Sequence, residues 1–102
     1  MPIIFMNGKA RKQLLKNGIV YTLRRHARKT VGKGWAIDKR GGKKIADVYI
    51  RLEGYVSVDE LMPFVGQSGF NSLDEWIKAI GELNPQMADS PGWLYRVRKR
   101  RI

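Results

Sequence analysis

The chain has no cysteine, a single histidine and only nine acidic residues among 102. Without cysteine there is no disulfide, no thiol nucleophile and no thiolate-bound zinc or iron–sulfur centre. One histidine leaves no imidazole cluster, so neither a metal nor a cofactor is expected. No apolar run approaches the roughly 20 residues that cross a bilayer as a helix. The opening MPIIFMNGKARKQ puts its apolar stretch before its positive charges, the reverse of a secretory signal. No segment joins a basic face to a wide apolar one, which argues against an anionic membrane surface. A cytoplasmic protein without a membrane partner is expected.

Positive charge is what the chain has in excess: 20 Lys+Arg and a net charge of +11. It falls in blocks, with a balance of +12 over residues 1–51, −6 over 52–92 and +5 over 93–102. Blocks of one sign produce a bipolar surface unless the fold interleaves them. With 43% hydrophobic residues the chain is not a disordered basic tail. A polyanion partner, nucleic acid first, follows from this excess. The acidic block at 52–92 has two readings, a protein-partner surface or an internal counterweight to the basic half.

Local patterns predict one domain over residues 1–102, with a basic C-terminal tail at about 98–102. Ile3 to Met6 reads as a strand, and GKARKQLLKN (8–17) as a short helix with Leu14 inward and Gly18 at the left-handed stop. Ile19 to His26 alternates as a strand. Residues 27–34 read as a basic, glycine-punctuated loop, Trp35–Ile37 as a short strand, and 38–43 as a hairpin turn. Lys44 to Glu53 resumes strand character. Ser57 with Glu60 and Ser72 with Glu75 match capping boxes. Pro63 limits the first of these helices, whereas Leu73, Trp76, Ile77, Ile80 and Leu83 give the second an apolar face. Trp93–Val97 reads as a closing strand. The fold class is α+β, a small β-barrel or strongly twisted mixed sheet flanked by short helices.

Catalytic chemistry is thinly supplied. His26 stands among Arg24, Arg25 and Arg28, whose charges oppose its accepting a proton. Gly32-Lys33-Gly34 lacks the spacing of a phosphate-binding loop. Nucleic-acid binding needs cations for phosphates and flat side chains for bases. Tyr21, Trp35 and Tyr49 are interleaved with Arg24, Arg25, Lys33, Lys43, Lys44 and Arg51. Arg24, Arg25, Arg28 and Lys29 crowd four cations into six residues.

Three stretches resemble the ASCH family of PUA-like β-barrel domains. Leu14 to Arg25 is similar to that family's helix, turn and T-x-R strand, and Val31 to Ile37 to a barrel strand. Gly69 to Trp76 is similar to its G-F-x-S helix start, with Asn84-Pro85 at the helix end. The resemblance implies binding of RNA or modified nucleosides in a cleft beside the barrel. Some members resemble amidohydrolases of acetylated cytidine that use a Lys, a Thr and a Glu. Thr22 matches the Thr, but the Lys position falls on Ile19 and the Glu position on or near Gly69. The resemblance therefore implies the cleft more than the reaction.

The leading expectation is a nucleic-acid-binding domain, RNA favoured over DNA. Thr22 and Arg24 line the cleft, and Trp35 is a further nucleic-acid-binding residue. Arg25, Arg28, Lys29, Lys33, Lys39, Arg40, Lys43 and Lys44 track phosphates, and Arg98, Arg100 and Arg101 extend the footprint. The alternatives are a nucleoside amidohydrolase or ribonuclease, with Thr22 its one candidate catalytic residue, and a structural subunit of a ribonucleoprotein particle.

Overall fold

Asn7 starts the first helix by accepting hydrogen bonds at its side-chain oxygen from the backbone N–H groups of Lys9 (2.9 Å) and Ala10 (3.2 Å). Gly18 ends it at φ 80°, donating its N–H to the Leu14 carbonyl at 2.9 Å. Both are ordinary solutions to the unsatisfied groups at helix ends. The computed structural model describes residues 2–83 and 91–100. In chain order it contains β1 (Ile3–Ile4), α1 (Gly8–Asn17), β2 (Ile19–Arg24), β3 (Gly32–Ile37) and β4 (Lys44–Val56). A 3-10 helix (Val58–Gln67), α2 (Leu73–Leu83) and β5 (Gly92–Lys99) follow.

The five strands form one sheet in the order β1-β3-β4-β5-β2, with β1 parallel to β3 and every other pair antiparallel. Alternation sends Val20, Ala36, Val48, Ile50, Tyr95 and Val97 to one face. There they are buried with Ile3, Phe5 and Leu14 of α1. The sheet curls around this core into a half-barrel. Its two edge strands are joined by a side chain: Arg24 of β2 donates through Nη2 to the Ile4 carbonyl of β1 at 2.8 Å. A second layer lies on the outer face, where Leu61, Phe70, Trp76, Ala79 and Ile80 of the 3-10 helix, α2 and their connection bury Leu23 and Leu94. The result is a mixed α+β architecture, a strongly curled sheet with short helices, as the alternation and capping patterns predict.

Several boundaries differ from the sequence reading, each for a physical reason. β3 begins at Gly32, not Trp35, because Gly32 and Gly34 pair with Ile50 and Val48, and Gly32 enters the ladder at φ 92°, a backbone that favours glycine. β4 runs on to Val56 through a bulge between Leu52 and Gly54. Pro63 lies inside the 3-10 helix and does not stop it. The Ser57 capping box forms as expected, with the Glu60 carboxylate accepting from the Ser57 N–H at 3.2 Å and from its hydroxyl at 3.0 Å. Ser72 caps α2 as expected, its hydroxyl accepting from the Glu75 N–H at 3.1 Å. The expected basic tail is a strand for its first part. Arg98 pairs with Ile19 and Tyr49, and the Arg100 N–H donates to the Asp47 carbonyl at 2.8 Å.

Candidate nucleic-acid interface

Because β5 lies between β4 and β2, the charged C-terminal strand is laid against the basic first half of the chain. Lys33 of β3, Tyr49 of β4 and Arg98 of β5 form one cross-strand row on the outer face. Arg51 and Arg96 form the next, and Trp35 lies opposite Asp47 on the other side. Directly opposed side chains stand about 4.5–5.5 Å apart at Cβ, so this is a contiguous patch. Trp35 is 40% exposed and Tyr49 48% exposed. The Arg100 guanidinium sits over the Tyr49 ring at 5.6 Å, a cation–π distance.

Two acids share the patch, and both are engaged. Glu53 Oε1 is 3.6 Å from Arg51 Nε and 3.8 Å from Arg96 Nε, while Asp47 takes Lys44 Nζ at 3.2 Å. Arg96 Nε is buried without a hydrogen bond among the described residues. The helices cover only the opposite end of the outer face, where Tyr21 packs on Phe64 of the 3-10 helix with ring centroids 4.8 Å apart. The segment 52–92 supplies this helical layer, so its acids Asp59, Glu60, Asp74 and Glu82 are carried on the layer, exposed.

A cleft of about 300 Å³ opens between β2, the β1–α1 junction and α2, at the small end of the range for ligand pockets. Its walls are apolar and aromatic, with Phe5, Tyr21, Phe70 and Trp76. Thr22 and Arg24, which the family resemblance assigns to a cleft, line it, and Arg25 and Arg40, both exposed, join them. Arg24 is tightly held. Its Nε donates to Thr22 Oγ1 at 3.1 Å, its Nη2 to Ile4, and its guanidinium lies 5.3 Å from the Phe5 ring centroid. Burial pushes its pKa down to about 10, nearby Arg28 adds to the fall, and Tyr95 opposes it. It remains a cation at neutral pH. Among the described residues that line the cleft there is no carboxylate, histidine or lysine, so Thr22 has no base beside it there.

Arg28 is likewise built into the fold. Its backbone N–H donates to Tyr95 Oη at 2.6 Å, and its side chain reaches the carbonyls of Thr30 (3.2 Å) and Pro2 (3.3 Å). Burial lowers its pKa, with Tyr95 opposing. Lys29, Lys39 and Lys43 are exposed between strands, and Lys44 pairs with Asp47. Arg101 lies outside the described residues. The expected site thus divides in two, with Thr22, Arg24, Arg25 and Arg40 at the cleft and Lys33, Trp35, Arg98 and Arg100 on the outer face. Tyr49 and Arg51, which the sequence singles out among the interleaved rings and cations without assigning them to the site, complete that face with Arg96, which the sequence reading misses. The alternation of Lys44–Glu53 already puts Tyr49 and Arg51 on one side, the signal by which both were findable.

No family model, curated protein or solved structure matches the chain.

Proposed function

We propose that this protein is a nucleic-acid-binding domain, RNA favoured over DNA, that engages phosphates with the cations of its outer face and cleft rim. One observation carries the reading: the cross-strand row Lys33–Tyr49–Arg98, in which two sequence-distant basic blocks meet beside an exposed ring. Neighbouring like charges repel one another unless an anion lies between them, and a phosphate backbone supplies anions at regular spacing. The preference for RNA rests on the likeness to ASCH domains, because phosphate contacts alone do not distinguish the sugars. A structural subunit of a ribonucleoprotein particle would use the same cations. The hydrolase reading is weaker, since the Thr22 hydroxyl accepts from Arg24 and no base lines the cleft among the described residues.

The test is binding of the whole protein to matched single-stranded and duplex RNA and DNA across a salt series. Tight binding whose logarithm falls linearly with log salt is expected, with a slope that counts the phosphates neutralised. Absence of binding to all four at moderate salt would overturn the reading.

A further inference from the structure

We propose that the open half of the outer face binds single-stranded nucleic acid by stacking bases on Trp35 and Tyr49, with Lys33, Arg98 and Arg100 on the phosphates. This rests on the nucleic-acid reading above and names the class of polymer it takes. The register decides the strandedness. Trp35 lies opposite Asp47 and Tyr49 opposite Lys33, so the two residues are diagonal neighbours whose backbone positions stand about 7–8 Å apart. Bases within a stacked strand rise by only about 3.4 Å per nucleotide. Consecutive bases therefore reach both rings only when they are unstacked from each other. A single strand allows that readily, whereas a duplex hides its base faces between neighbours.

The surroundings fit such an occupant. Lys33 and Arg98 flank Tyr49 on either side in the same row, so a base on that ring brings its phosphate within reach of a cation. Arg100 stands over the same ring. The acid opposite Trp35, Asp47, is held by Lys44, which reduces its repulsion of phosphate. At the far end the helical layer begins with Phe64 against Tyr21 and carries exposed acids, so the strand's path is closed on that side and open across β3. Exposed aromatics on a sheet face, interleaved with arginines and uncovered by the helices that bury the rest of that face, are the composition that base stacking requires.

The experiment compares labelled oligonucleotides of one length on the unaltered protein: single-stranded RNA, single-stranded DNA, their duplexes, and a sugar–phosphate strand with its bases removed. Tyr49→Leu, Trp35→Leu and the ring-retaining Tyr49→Phe are run beside it, with melting temperatures confirming the fold. Either base-carrying single strand is expected to bind above its duplex and at least about ten-fold more tightly than the abasic strand. Tyr49→Leu and Trp35→Leu should lose about ten-fold each without changing the salt slope, and Tyr49→Phe, which keeps the ring, should lose clearly less than Tyr49→Leu. The abasic strand involves no mutation, so its result stands even if a leucine variant unfolds. Equal affinity for abasic and base-carrying strands, or preference for duplex, overturns stacking and leaves the general nucleic-acid reading standing. Failure of every polymer to bind overturns both.

Discussion

Arg24 shows how a single side chain serves the fold before it serves a ligand. It is one of four cations within residues 24–29, and from sequence alone that cluster reads as a phosphate-binding run. In the structure its guanidinium closes the gap between the edge strands through the Ile4 carbonyl and Thr22. Arg24→Met keeps the apolar stem but leaves the Ile4 carbonyl without this donor. Hydrogen bonds to charged groups contribute about 1.5–3 kcal/mol each, offset in part by relief from burying the charge. A net loss of about 1–3 kcal/mol in urea unfolding is expected at neutral pH. The pH dependence has a definite sign. Burial depresses the folded-state pKa to about 10, below its ordinary value, so above that pH the unfolded chain holds the proton more firmly than the folded one. Stability from this group then rises with pH. The gap between the natural protein and Arg24→Met should therefore widen from pH 8 to pH 11, and a narrowing gap would contradict the burial of the guanidinium.

At the scale of elements, the connection from the 3-10 helix to α2 is pinned by one glycine. Gly69 has φ 93°, and a Cβ there would stand 2.5 Å from the Lys9 carbonyl oxygen on α1. Gly69→Ala combines a disfavoured backbone with a main-chain clash. It should cost more than about 1 kcal/mol and shift the cleft wall formed by Phe70. Gly66 has open space around its Cβ position and no positive φ, so Gly66→Ala should be neutral or stabilising by about 0.4–1 kcal/mol through the unfolded state. Urea denaturation of the two variants side by side checks the contrast. The same elements show what the sequence conveys. Helix ends were legible because caps are local: Asn17-Gly18 and Ser72 declare themselves within four residues. The start of β3 was not, because Gly32 and Gly34 look like loop residues until the packing of Val48 and Ile50 across the ladder is known. The sequence alone ends β5 at Val97, because Arg98 and Lys99 resemble a solvated tail until their partners on β2 and β4 are known. Thr22 and Arg24 could be placed at a cleft through the family resemblance alone, not through local pattern. The outer face could not, since it depends on β5 inserting between β4 and β2, a non-local pairing with no local signature.

For the molecule as a whole, the net charge of +11 supports two different accounts of binding. A diffuse positive field would attract any polyanion and would weaken with each charge removed, wherever it lay. A built surface would lose affinity only where its own contacts were removed. Two double variants of equal charge separate these accounts, Lys33→Glu with Arg98→Glu on the outer face, and Arg25→Glu with Arg40→Glu at the cleft rim. Each replaces two cations with two anions, a change of −4, and so takes the chain from +11 to +7. All four positions are exposed, so neither double variant disturbs a buried group. The outer-face pair should lose affinity by an order of magnitude or more and flatten the salt dependence by about two phosphate contacts. The cleft-rim pair, which meets the polymer only at the margin of its path, should lose less, most of it the long-range part that fades within a Debye length of about 8 Å at physiological salt. Equal losses in the two variants at that salt would mean that net charge, and not the arrangement of β3, β4 and β5, governs the encounter. The reverse order would move the polymer to the cleft. Only the predicted order requires the fold to have brought the first and last basic blocks into one row.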